Sequence, residues 1–235
     1  MSDGRRYTGY AFAAGGNLIP LVAAELVQAV PAMPLGFVQS GEGFQLVAVT
    51  ALQPGANLFV APDGRWLGAY VPAALRGYPF RLVKPQDRAD SVLCIDKASG
   101  LVVEAGQGET FFDEDGQPSK ALRDVLELLS QVERSRMATQ AAVDALAAAS
   151  LIQPWPLSIK QNEKNVAVTG LYRIDEPALN ALGDEAFLSL RRSGALPVAY
   201  AQLLSMNQLS VLQRLSQIQA KLKAPTPSVV KISRG

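Results

Sequence analysis

Short apolar runs bounded by turn residues occupy the first half of the chain, whereas longer segments with apolar positions three and four apart occupy the second. The first pattern belongs to strands and the second to amphipathic helices. The run Leu18 to Val30, interrupted by Glu25 and bracketed by Pro20 and Pro31, predicts a short amphipathic helix. Strands are predicted over Leu35–Gln39, Phe44–Ala51, Asn57–Val60, Arg65–Val71, Phe80–Lys84, Ser91–Ile95, Leu101–Glu104 and Thr110–Phe112. Asp63-Gly64 falls between two of these as a hairpin turn, because both residues tolerate positive φ. Asp115-Gly116 and Pro118 close the strand-rich region.

Beyond it, Ser119 is placed to cap a helix whose apolar positions Leu122, Val125, Leu126, Leu129 and Val132 keep a 3.6-residue period to about Ser135. A second, alanine-rich helix is predicted over Met137–Leu151 and stopped by Pro154 and Pro156. Leu157–Lys160 and Val166–Tyr172 read as a hairpin around the polar Gln161–Asn165. Asp175 caps a helix over Glu176–Arg192, with Pro177 in its first turn, and Gly194 ends it. A last helix runs from about Pro197 to Lys223. The predicted fold class is α+β, with a β-rich lobe carrying one N-terminal helix over residues 1–118. A mainly helical lobe with a small hairpin near 157–172 follows over 119–224, then a flexible tail at 225–235.

Composition narrows the chemistry. The 235 residues include no histidine and one cysteine, Cys94. Triads that use an imidazole base, histidine metal sites and internal disulfides are therefore excluded, and neither a metal nor another cofactor is expected. No apolar run reaches the roughly 20 residues of a membrane span. The expected location is the cytoplasm, without membrane insertion. Net charge is +1, yet residues before 119 hold eight Lys/Arg against twelve Asp/Glu and those after it fourteen against nine. No acid follows Glu185, while Arg191, Arg192, Arg214, Lys221, Lys223, Lys231 and Arg234 do. Such a basic end suits docking on an acidic surface. Nucleic acid is not the expected partner, since the whole chain is near neutral and carries no known binding module.

The acidic turn Asp113-Glu114-Asp115-Gly116 fails as an EF-hand because Phe111 and Leu122 would stand at ligand positions. It reads as a solvated turn before a helix. Cys94 alternates within Val92-Leu93-Cys94-Ile95 and is expected to be a buried structural thiol. No spacing marks a catalytic residue. The richest segment is Asp63 to Arg81, where Arg65, Arg76 and Arg81 lie among Trp66, Tyr70, Tyr78 and Phe80. On a strand Trp66, Gly68 and Tyr70 share a face, and glycine between two aromatics leaves a slot for a planar group, with arginine available for a carboxylate or a cation–π contact. The competing reading makes Trp66 and Tyr70 core, with Gly68 relieving crowding. Arg65, Trp66, Tyr70, Arg76, Tyr78 and Arg81 are thus the candidate ligand- or partner-binding residues. In the final helix Leu204, Val211, Leu215, Ile218 and Leu222 form a heptad-like stripe that could serve a homodimer or partner seam.

Several blocks together resemble the SapC family, which is associated with a bacterial surface-layer gene cluster. They include Gly55-Ala56-Asn57-Leu58-Phe59-Val60, Asp63-Gly64-Arg65-Trp66, Tyr70-Val71-Pro72-Ala73, Tyr78-Pro79-Phe80, Cys94-Ile95-Asp96, Phe112 to Pro118, Gly170 to Asp175 and Ala201 to Met206. The chain departs from the family pattern at Gly77, where a second arginine often follows Arg76. The resemblance implies a bacterial accessory role near a surface layer or an outer-membrane uptake locus, and supplies no active site. The expected function is non-enzymatic binding of a protein or peptide partner. The alternative is a histidine-free enzyme or small-molecule handler acting with a flavin-dependent halogenase-like protein. A pocket with convergent polar groups favours that alternative, and a flat apolar patch favours an adaptor.

Overall fold

A computed structural model describes residues 2–4, 7–85, 90–104, 107–161 and 164–223. The first half contains β1 (Ser2–Gly4), β2 (Leu18–Pro20), α1 (Leu26–Ala29), β3 (Leu35–Ser40), β4 (Gly43–Val49) and α2 (Ala73–Arg76). Then come β5 (Phe80–Val83), β6 (Val92–Ile95), β7 (Val102–Glu104) and β8 (Glu109–Thr110). The second half holds α3 (Lys120–Ala148), β9 (Ile152–Pro154), β10 (Leu157–Gln161), β11 (Lys164–Val168) and β12 (Tyr172–Ile174). It ends with α4 (Glu176–Asn180), α5 (Asp184–Arg192), α6 (Ala195–Ser205) and α7 (Leu209–Lys223). The class is α+β, sheet-rich first and helical afterwards.

The central sheet is antiparallel, in the order β2-β4-β3-β12-β9. Strands β9 and β12 follow residue 119, so the sheet and its core run across the point where the sequence changes character. Leu46 to Val49 on β4 are all buried, and the alanine-rich half of α3 lays Ala142, Val143 and Leu146 into the same core as Val198 and Ala199 of α6. Small side chains let helix and sheet backbones approach closely. Three small sheets, β7-β1-β8, β5-β6 and the hairpin β10-β11, lie outside the central one.

Several predicted elements take a different form. Leu18–Val30 is not one helix: Leu18–Pro20 is an edge strand, where proline's missing N–H is tolerated, and helix starts only at Ala23. Asn57–Val60 and Arg65–Val71 are joined by the single bridge Val60↔Trp66 and are not strands. Asn57 is the cause, because its side chain binds the Phe59 N–H at 3.0 Å and the Ala13 carbonyl at 3.1 Å, an Asx turn that competes with strand pairing. The Leu58 and Val60 carbonyls go instead to Gln219 of α7, at 3.1 and 2.6 Å.

The two helices expected between Ser119 and Leu151 are one helix of 29 residues. The polar residues at the expected break, Ser135 and Thr139, accept the Ala24 and Ala23 N–H groups at 3.3 and 2.7 Å, so they satisfy the open start of the 23–25 turn. The helix expected over Glu176–Arg192 divides before Gly183, and that over Pro197–Lys223 divides at a 3₁₀ turn, Met206–Gln208. The leucine stripe is consequently shared between two helices, with Leu204 64% exposed on α6 and Leu215 buried on α7. Cys94 is exposed, not buried, because the two-stranded β5-β6 sheet has too few layers to cover both faces. The predicted tail at 225–235 lies outside the described residues. Among the described residues no helix is long and apolar enough to cross a membrane.

Candidate functional site

Asp63-Gly64 makes the expected turn, with Gly64 at φ 85° and reciprocal Ala61–Gly64 and Ala61–Arg65 backbone bonds of 2.8 Å. Arg65 turns back on Asp63 at 2.7 Å in the solvent and holds that carboxyl below the usual carboxylate range. Trp66 stacks on Phe59 with centroids 5.3 Å apart and donates its indole N–H to the Tyr70 carbonyl at 2.8 Å. A Cβ on Gly68 would stand 2.6 Å from the Phe59 ring. Phe59 therefore fills the slot that the alternation leaves over Gly68.

Tyr70 connects a buried carboxylate to an exposed cation. Glu25, 4% exposed, accepts the Tyr70 hydroxyl at 2.8 Å, the Ala73 N–H at 2.6 Å and the Val22 N–H at 3.1 Å. Three donors satisfy it without a direct cation. Burial, and then the bond to Glu25, push the Tyr70 hydroxyl well above its ordinary range. Arg76, the last residue of α2, donates to the same hydroxyl at 3.3 Å and lies 5.8 Å from the Tyr70 ring centroid. Beside it Tyr78 stacks on Phe12 at 3.8 Å and 7°, and Tyr7 meets both rings edge-on. Burial first, and then Tyr10, push the Tyr7 hydroxyl up to about 12, with Arg76 opposing. Both Tyr7 and Tyr70 thus remain protonated hydrogen-bond donors at neutral pH.

Arg76 and Tyr78 border a cavity of about 520 Å³ between β1, β8, the 76–80 turn and the first turns of α3. Its apolar walls include Phe80, Phe111, Leu122 and Leu128, and Glu109 and Asp124 also reach it. A Cβ at Gly77 would stand 2.6 Å from Leu129 of α3, so the departure at that position lets α2 close against the helix that forms one wall. Two other clefts, of about 430 and 510 Å³, flank the β10-β11 hairpin and are lined by no charged side chain.

Of the six candidate residues, the structure brings Arg76 and Tyr78 to the cavity and sets Tyr70 behind Arg76. Arg65 and Trp66 lie on the neighbouring turn, and Arg81 is exposed on β5, opposite Cys94. Sequence reasoning missed Tyr7, Phe111 and the α3 face that carries Asp124 and Leu128. Their apolar periodicity is legible, but not the fact that an empty space faces it. The acidic turn is closed locally, with the Asp113 carboxylate accepting the Asp115 and Gln117 N–H groups at 3.1 and 2.7 Å. Among the described residues no group of acidic or cysteine side chains is arranged to hold a metal ion.

The family model described as SapC matches residues 4–212, a span that includes every wall of this cavity. No curated protein and no solved structure matches the chain.

Proposed function

The chain belongs to the SapC family, and from that premise we propose that it is a non-enzymatic bacterial accessory protein that holds its target in the cavity beside Arg76 and Tyr78. The observation that carries the binding role is the cavity itself, and it turns the reading from a flat-surface adaptor toward small-molecule handling, the alternative that a pocket with convergent polar groups favours. Its volume, about 520 Å³, is in the range of small-ligand sites, and its walls combine apolar surface with a few convergent polar groups, as such sites do. The groups are suited to holding rather than reacting. A guanidinium offers no free base, the Tyr7 hydroxyl keeps its proton at neutral pH, Asp124 is held by Lys120 at 3.0 Å, and Glu109 already has a partner. The occupant is a small molecule or a group displayed by a protein or peptide partner, in keeping with a role beside a surface-layer or outer-membrane uptake system. We place the protein in the cytoplasm, where an exposed lone thiol such as Cys94 is kept reduced.

Ligand-observed NMR with neutral aromatic and aliphatic fragments tests the cavity. Fragments should bind with dissociation constants near 1 mM, about 4 kcal/mol. Ala121→Trp or Val125→Trp, which fill the space from α3, should abolish the signal with the circular dichroism spectrum preserved. Binding that is absent, or equally strong in both filled variants, rejects the site.

A further inference from the structure

Resting on that reading of the cavity, we propose that its ligand carries a single carboxylate on an apolar body and that Arg76 is the carboxylate anchor. Arg76 is the one cation among the described residues that line the cavity. No carboxylate among them neutralises it directly. Glu25 is buried behind Tyr70 and already takes three donors, Asp124 pairs with Lys120 at 3.0 Å, and Glu109 has a partner of its own.

The guanidinium is nevertheless oriented. Because the Tyr70 hydroxyl donates to Glu25, its lone pair faces Arg76, and the Tyr70 ring supports the cation at 5.8 Å. Among the described residues that bond of 3.3 Å is the one the guanidinium makes, and it uses one of the five N–H donors of the fork. A planar guanidinium with free parallel donors matches a carboxylate in bidentate fashion. The Tyr7 and Tyr78 side chains border the same space.

Charge balance separates a carboxylate from a phosphate. Among the described lining residues one guanidinium stands against the Glu109 and Asp124 carboxylates, a balance that suits one negative charge better than two. The apolar lining selects an apolar body. Phe80 and Phe111 meet edge to face at 5.7 Å, and with Leu122 and Leu128 they give an aromatic or alkyl group a dry surface. Such a carboxylate is supplied either by a free organic acid or by the end of a peptide chain.

Titration calorimetry and ligand-observed NMR on the full chain distinguish these sources and test the anchor. The free-acid arm compares 4-phenylbutyrate with 4-phenylbutyramide, and the chain-end arm compares N-acetyl-Gly-Phe with its C-terminal amide. In at least one arm the acid should bind at least tenfold tighter than its amide. Arg76→Gln should reduce that preference below twofold, and Arg76→Lys should keep part of it. Equal binding of acid and amide in both arms overturns the anchor, as does an acid preference that survives Arg76→Gln. Silence of all four probes while neutral fragments occupy the cavity overturns it too. In those outcomes the cavity still binds fragments, whereas failure of the cavity itself is read from the Ala121→Trp comparison.

Discussion

The Tyr70 hydroxyl stands between Glu25 and Arg76, and its protonation carries a consequence for stability. In an unfolded chain tyrosine loses its proton near pH 10. In the folded protein Tyr70 and Tyr7 hold theirs to higher pH, chiefly because burial disfavours the phenolate. Above pH 10 the folded state therefore binds more protons than the unfolded one, and stability falls as pH rises. The contribution is complete below pH 10 and is lost as the pH climbs through about 12, where Tyr7 titrates. Melting temperature followed by circular dichroism from pH 8 to 11.5 should drop less steeply in Tyr7→Phe/Tyr70→Phe than in the wild type. Parallel profiles would contradict the role of these hydroxyls. Arg76 and Tyr78 were legible at this scale because aromatic and cationic residues cluster along one stretch. Tyr7 was not, because Tyr78, which its ring meets, lies far along the chain.

Among the elements, α6 is the piece on which the central sheet depends. Strands β3 and β12 share one register pair, Tyr172↔Phe37, so backbone groups beside it need other partners. Gln202, fully buried, accepts the Ile174 N–H at 2.9 Å and donates to the Leu35 carbonyl at 3.2 Å. Ser205 accepts the Leu35 N–H at 2.9 Å and returns a bond of 2.7 Å to the Gln202 carbonyl. Gln202→Leu keeps the volume and removes both sheet contacts. It should cost about 1–3 kcal/mol for each backbone group left unpaired, seen as a lower denaturant midpoint at unchanged slope. A loss under about 0.5 kcal/mol, the range of surface substitutions, would show that the sheet joint closes without α6. The sequence predicts a helix from about Pro197, but not that a glutamine within it completes a sheet.

For the whole molecule, the shared sheet decides how the two halves relate. Strands β2, β3 and β4 come from before residue 119 and β9 and β12 from after it, while α3 and α6 pack on the same core. Each half alone would expose the apolar surface that the other covers. Separately produced fragments 1–118 and 119–235 should therefore lack a cooperative thermal transition, and co-expression should restore a soluble complex with one. Pro118 and Ser119 lie outside the buried core, so the cut between them removes no core contact. A sharp melt from either fragment alone would show two independent folding units.

Sequence alone determined what depends on a few neighbouring residues. The Asp63-Gly64 turn, the Ser119 and Asp175 caps, most strands of the first half and the β10-β11 hairpin follow from local hydrogen bonding and from which face of a regular element is apolar. The α+β class follows from their sum, and the absence of histidine is a property of composition. Tertiary structure alone decided what depends on vacancies elsewhere in the fold. β9 and β12, each three residues long, are strands because β3 has an edge to offer, and Leu58 and Val60 need no strand because Gln219 reaches them. Trp66 packs on Phe59, Cys94 is left in solvent by a sheet too small to cover it, and Arg76 faces a cavity because α3 runs past α2 without filling the space. Hydrogen-bonding capacity and apolar surface are written in the residues. Which distant group meets them depends on the arrangement of the whole chain, since burial removes water as the default partner only after the elements have packed.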